Sequence, residues 1–271
     1  MISRSISGGK CMMKRIRSGS ALLLAAMLWA SAAFAWSFGV CGDSRNDRNG
    51  VFPRILAAVS DSDMEFLLHT GDLERPGGTR SWAAFKAKTA DFRKPLHVTV
   101  GNHEIHGGTR EEFARFFGLP AASYGFTHKN VRFIVLDNAE GTLPAPLLAW
   151  LERELAAHPK GKNGIDRLVV AMHIPPQTDG IFPHGTKTGY AEQSVHLLKI
   201  LLKAKVDLVL CSHEHMQMVD DWSGIKVIVS GGAGAPIIPF QKYGFYRIDV
   251  TAKGIRETFR PIPKTAPRPG K

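Results

Sequence analysis

The chain has 271 residues, 44% hydrophobic and 22% charged, with 27 Gly and 16 Pro, the composition of a folded globular protein and not of a disordered one. Its formal charge of +11 invites a nucleic-acid or membrane reading, but the first 35 residues hold Arg4, Lys10, Lys14, Arg15 and Arg17 and no acid, leaving +6 on the remainder. A mild surplus of that size selects no class of partner.

Residues 1–35 read as a cleavable signal peptide. A basic stretch ending at Arg17 precedes an apolar run from Ala21, which closes on Ala33-Phe34-Ala35, the small-residue pattern a signal peptidase accepts. The run falls short of the roughly 20 residues that span a bilayer. Cys11 lies upstream of it, where no lipoprotein signal would place a cysteine. The expected product is periplasmic or secreted, has no membrane anchor and starts at Trp36. It keeps Cys41 and Cys211, better read as two buried thiols than as a disulfide scaffold.

From Trp36 the chain alternates strands and helices, which predicts one α/β domain over residues 36–260. In order, the pattern gives a strand at Ser37–Cys41, a helix at Phe52–Val59, a strand at Met64–His69, a helix at Ser81–Ala90 and a strand at Leu96–Val100. A helix at Glu111–Phe117 and a hairpin through Lys129-Asn130 into the strand Val131–Leu136 follow. Then come a helix at Pro146–Ala157, a strand at Leu168–Met172, a helix at Glu192–Lys203, and strands at Val206–Cys211 and Val227–Val229. Met216 and Met218 read as strand residues, and the stretch from Lys226 to Phe259 as a β-meander. Residues 261–271 form a Pro-rich tail, expected to be disordered.

Five strands end in residues that can bind a metal. Phe38-Gly39-Val40-Cys41-Gly42 delivers Asp43, and Leu67-Leu68-His69-Thr70-Gly71 delivers Asp72. The third, Leu96 to Gly101, delivers Asn102, His103 and Glu104; the others deliver His173 and the pair His213 and His215. Loops beyond the carboxyl ends of strands form the binding rim of α/β proteins. A lone case would be an ordinary capping Asp or a satisfied core His; five together point to a metal site.

Gly42-Asp43, Gly71-Asp72, Gly101-Asn102-His103-Glu104, His173-Ile174-Pro175-Pro176 and Ser212-His213-Glu214-His215 resemble, in order, the motifs of the calcineurin-like metallophosphoesterase family. The resemblance implies a two-sheet β-sandwich flanked by helices, with a dinuclear metal site at the carboxyl ends of the strands. It implies that Asp72 bridges the ions, that Asn102, His173 and His213 complete one site, and that Asp43 and His215 serve the other. His103 would sit beside the substrate as a catalytic group, with Glu104 or Glu74 orienting it. Two ions roughly 3.5–4 Å apart would activate a bridging hydroxide for in-line attack on phosphorus. Mixed Asp, Asn and His ligands suit Zn, Fe or Mn better than Ca and do not choose among the three.

The chain departs from the family pattern at two places. Where a His is common two residues after the first Asp, it has Arg45, which cannot ligate a metal; Asp47 or water would have to complete that site. Three residues after Asp72 stands Arg75, where an acid or Tyr is common. Arg45 is expected to grip a phosphate oxygen and leave the first ion the weaker of the two; the alternative turns it outward to Asp47.

The leading expectation is an exported metal-dependent phosphoesterase, most simply a phosphomonoesterase, acting on a small phosphoester as a monomer. The alternatives are a phosphodiesterase on cyclic or small linear nucleotides and a non-catalytic sensor. The intact His103 argues against a sensor, which has no need of a leaving-group acid. No dense Lys/Arg stripe with interleaved aromatics supports nucleic-acid binding. Residues 177–190 read equally as a substrate lid or a solvated loop. Trp82, Trp150 and Trp222 read as core; His106, His128, His158 and His196 read as surface.

Overall fold

The computed structural model describes residues 35–263, so the leader, apart from Ala35, and the tail from residue 264 lie outside the described residues. Eleven strands and six helices follow one another among them. The first half holds β1 (Trp36–Cys41), α1 (Val51–Ser60), β2 (Leu67–His69), α2 (Thr79–Lys88), β3 (Leu96–Val98), α3 (Asn102–Ile105), α4 (Arg110–Phe117), β4 (Tyr124–His128) and β5 (Val131–Leu136). The second half holds α5 (Ala145–Ala157), β6 (Arg167–Met172), α6 (Tyr190–Ala204), β7 (Leu208–Cys211), β8 (Gln217–Trp222), β9 (Ile225–Ser230), β10 (Gly244–Thr251) and β11 (Gly254–Pro261).

The strands form two sheets, ordered β11-β10-β1-β2-β3 and β4-β5-β6-β7-β9-β8. Strands β1, β2 and β3 are parallel, as are β5, β6, β7 and β9, while the flanking strands are antiparallel. Side chains alternate across a strand, so each sheet presents two faces, and both are apolar here. Along β6, Val169 and Ala171 face the other sheet, where they join Phe38, Val40, Phe66, Phe133 and Ile248. Its intervening residues Leu168, Val170 and Met172 pack with Leu151 and Leu155 of α5 and Leu197 and Leu201 of α6. The outer face of the first sheet is covered likewise by Phe52 and Ile55 of α1, Trp82 and Phe85 of α2 and Phe113 of α4. The result is a four-layer helix–sheet–sheet–helix sandwich. Phe38 and Phe66 stack at 4.8 Å in the seam, and Phe133 meets both edge-on, contacts worth about 0.5–1.5 kcal/mol each beyond burial.

Helix α1 starts where Asp47 accepts the amides of Val51 and Phe52 at 2.9 and 2.8 Å. That carboxylate is thereby committed to the helix start, and neither pairs with Arg45 nor stands ready as a ligand. Cys41 and Cys211 are both free and buried, one in each outer layer, so they do not meet. Trp82 and Trp222 lie in the core.

Three expectations need correction. The stretch from Lys226 to Phe259 is not a meander: β9 joins the second sheet beside β7, and β10 and β11 form a hairpin against β1 in the first. Alternation shows that a segment is a strand but not which sheet it joins. The third strand stops at Val98, and the ligand run after it turns into the short helix α3. The Pro-rich tail does not begin at residue 261, because Pro261 closes β11 and the Ile262 amide donates to Tyr243 O at 2.8 Å.

Candidate functional site

The parallel strands of both sheets end on one rim. The first sheet delivers Asp43, Asp72 and Asn102 there, and the second delivers His173, His213 and His215. The chain must turn sharply to aim these side chains inward. Asp43, Asp72 and His213 do so with φ of +60°, +57° and +68°, a region that costs a non-glycine residue about 1–3 kcal/mol and persists only where the surroundings impose it. Gly71 precedes Asp72 at φ +102°, and a Cβ on it would lie 2.6 Å from His173 Nδ1. Only glycine fits between these two ligands.

Four of the expected ligands meet at one point. His173 Nε2 lies 2.9 Å from Asn102 Oδ1, 3.3 Å from Asp72 Oδ1 and 3.2 Å from His213 Nδ1, which is itself 3.1 Å from Asn102 Oδ1. The protonation of both rings follows from their other partners. His173 Nδ1 faces Thr70 O at 2.9 Å, and His213 Nε2 faces His184 O at 3.0 Å. A carbonyl oxygen only accepts, so each proton lies on that side and each inward nitrogen carries a lone pair. Burial lowers His213 to about 3 and keeps the ring neutral. Four potential metal donors thus converge on one point. Their separations match those around a tetrahedral cation with bonds of about 2.1 Å. The residues fit an ion at this second site.

The first site has three donors. Asp72 turns Oδ1 to the second site and Oδ2 toward Arg45 and the first. Asp43 Oδ1 is buried without a hydrogen-bond partner and lies 3.6 Å from His215 Nε2. Asp43 Oδ2 accepts the His213 amide at 2.8 Å. Burial raises the Asp43 carboxyl, an effect a bound cation would oppose. His215 Nδ1 donates to Pro236 O at 2.7 Å, which leaves Nε2 as the acceptor.

Arg45 does not turn outward to Asp47. Its side chain turns inward and is only 12% exposed; Nε donates to Asp72 Oδ2 at 2.9 Å and Nη2 to His215 Nε2 at 3.2 Å. The guanidinium therefore sits on two of the three donors of the first site. Were it held there about 4 Å from a divalent ion, the repulsion would be about 8 kcal/mol at an effective dielectric near 20.

His103 lies beside this group, with Nε2 3.8 Å from Asp72 Oδ2. Burial lowers it to about 4, and Arg45 and Arg75 reinforce that shift against the pull of Asp72. Neither acid expected to orient it does so. Glu74 pairs with Lys88. Glu104 is buried and accepts from three amides: Gly101 at 2.8 Å, Asp72 at 2.9 Å and Leu73 at 3.0 Å. It clamps the loop of the bridging Asp72 to the loop of Asn102, and it faces backbone where a catalytic acid would face substrate.

Two supporting residues went unrecognised in the sequence. Asn138 is buried after β5, and its Oδ1 accepts the amides of His173 and Ile174 at 3.2 and 3.1 Å. The signal was there, since Leu136 runs straight into Asp137-Asn138 as the ligand strands run into theirs. His184 brings residues 177–190 onto the site: its ring stacks on His213 at 4.1 Å, and Nδ1 pairs with Glu214 Oε1 at 2.8 Å. His106 and His196 are exposed, and the half-buried His128 and His158 pair with Glu65 and Glu154, away from the centre.

A four-layer sandwich with two adjoining cation sites on its rim defines a metal-dependent phosphoester hydrolase. The sequence pattern of the calcineurin-like phosphoesterases matches residues 37–217, and the chain belongs to that family, whose enzymes work with two transition-metal ions. It is 28% identical to a probable cyclic nucleotide phosphodiesterase of Rhodopseudomonas palustris, over 66% of this chain and 69% of that protein. It is 22% identical to the 3',5'-cyclic adenosine monophosphate phosphodiesterase CpdA of Haemophilus influenzae, over 76% and 74%. In fold it resembles a purple acid phosphatase from yellow lupin (Lupinus luteus) seeds, with a TM-score of 0.65 at 16% identity, covering 84% of this chain and 51% of that one.

Proposed function

We propose that this chain hydrolyses small phosphodiesters, cyclic nucleotides foremost, ahead of the phosphomonoesters that are the simplest substrates on sequence grounds alone. The observation that carries hydrolysis is the cluster of four candidate metal donors, the Asp72 carboxylate among them, with His103 Nε2 at its edge. What favours a diester is that the relatives matching across two thirds or more of their length are named as cyclic nucleotide phosphodiesterases. When bound, the ions supply positive charge for the phosphoryl oxygens and acidify water for attack on phosphorus. The protein's own part is to aim Asp72 at both sites, to turn the rings of His173 and His213 toward the ion they would hold, and to place His103 Nε2 where it can hand a proton to the departing oxygen.

Metal-loaded protein assayed side by side on bis-p-nitrophenyl phosphate, p-nitrophenyl phosphate and 3',5'-cyclic AMP tests this reading. The expected result is a kcat/KM for diesters at least tenfold above that for the monoester. The opposite order restores the phosphomonoesterase reading.

We also propose that the protein is exported and works in the periplasm or outside the cell. The support is the pattern from Arg17 to Ala35, together with a first described strand that starts at Trp36, so that cleavage after Ala35 spares every element among the described residues. N-terminal sequencing of protein from an exporting host should begin at Trp36; an intact Met1 in the membrane fraction would contradict export as a free protein.

A further inference from the structure

The rim holds one feature that the family's two-ion chemistry does not require: a permanent cation, Arg45, on the donors of the first site. Asp72 Oδ2 accepts from its Nε at 2.9 Å and His215 Nε2 from its Nη2 at 3.2 Å. The third donor, Asp43 Oδ1, is buried without a hydrogen-bond partner and lies 3.6 Å from His215 Nε2. The guanidinium thus takes up two of the three atoms an ion would need and leaves one unsatisfied. The other donors of the second site, Asn102, His173 and His213, form no hydrogen bond with the guanidinium among the described residues.

We propose that Arg45 is a built-in competitor for the first ion. Arg45 and that ion claim the same oxygen and the same nitrogen, and like charges in a buried pocket do not share them. The second site therefore fills first, and the first fills only after the guanidinium leaves Asp72 and His215. Its planar fork suits the oxygens of a phosphate. An oxyanion arriving at the rim gives the displaced side chain an alternative partner, so oxyanion and first ion assist each other's binding, and by linkage each does so to the same degree. The inference rests on the reading of this rim as a two-ion phosphoesterase site and adds the order in which that site is assembled.

The test is a titration of metal-free full-length mature protein with Co²⁺, followed by the visible absorption of the bound ion and by bound-metal analysis. Wild type should take up its two ions in separate steps, the second at least tenfold weaker than the first. Arg45→Ala should bring the steps together. Arg45→Lys separates competition from simple repulsion, since it keeps the charge and loses the fork that spans both donors. Competition requires the steps to close in this variant too; repulsion leaves it like wild type. Stopped-flow mixing gives a further readout: the rate of second-ion uptake should level off at high Co²⁺ in wild type and stay linear in Arg45→Ala. Added inorganic phosphate should tighten the weak step in wild type by more than in Arg45→Ala.

Two equal steps in wild type, or an Arg45→Lys protein that tracks wild type, overturn the inference. Either result leaves phosphoester hydrolysis standing, because neither readout depends on turnover. A fully loaded protein that turns over no phosphoester overturns the enzymatic reading and leaves the binding order intact.

Discussion

Asp72→Ala protein is expected to lose turnover entirely and to come off the column with little bound metal. Asp72 is the one side chain that presents an oxygen to each site: Oδ1 lies 3.3 Å from His173 Nε2, and Oδ2 accepts from Arg45. Its removal takes a donor from both ions and the partner from Arg45. The backbone of its loop is held separately, by the Asp72 and Leu73 amides on Glu104, so the fold should survive. Metal analysis alongside circular dichroism decides the matter. Full metal content and a normal rate in a folded variant would show that this carboxylate does not bridge two ions.

His103→Ala should behave in the opposite way, with metal content unchanged and kcat lower by roughly 10²–10⁴, the usual worth of a positioned proton donor. Its ring donates to no ligand atom among the described residues, and Nε2 stands 3.8 Å from Asp72 Oδ2, within reach of a group bound in front of the ions. The loss should shrink on substrates whose leaving group is already a good one, because a nitrophenolate departs without a proton. Equal losses on good and poor leaving groups would move His103 from proton transfer to holding substrate.

The gathering of the candidate ligands on one rim was readable because its signal is local. A strand, a glycine and a polar residue occupy about six consecutive positions, and β1, β2 and β3 repeat that arrangement with Asp43, Asp72 and Asn102 at the end. The alternation that marks these strands also requires two packed sheets, since Val169 and Ala171 face one way while Leu168 and Val170 face the other. What stayed hidden depends on contacts between distant parts of the chain. Arg45 turns inward onto Asp72, 27 positions away, and His215, 170 positions away. Glu104 turns to backbone because three amides from two loops converge on it. His184 is one polar residue in a polar loop until its ring is seen on His213. The placing of β9 and β10 in different sheets is of the same kind: both segments carry the same pattern, and tertiary pairing alone tells them apart.

The rim is also a seam. Asp43, Asp72 and Asn102 belong to one sheet, and His173, His213 and His215 to the other, joined there by bonds such as the His213 amide to Asp43 Oδ2 at 2.8 Å. An ion gripped from both sides rivets two halves that elsewhere meet mainly through apolar packing. Metal binding and the joining of the two sheets at this rim are then thermodynamically linked. Free metal at a hundredfold excess over its dissociation constant adds about 2.7 kcal/mol to the folded state, a large fraction of what holds a protein of this size together. Bound metal would thereby add to the stability of the fold as well as serve turnover.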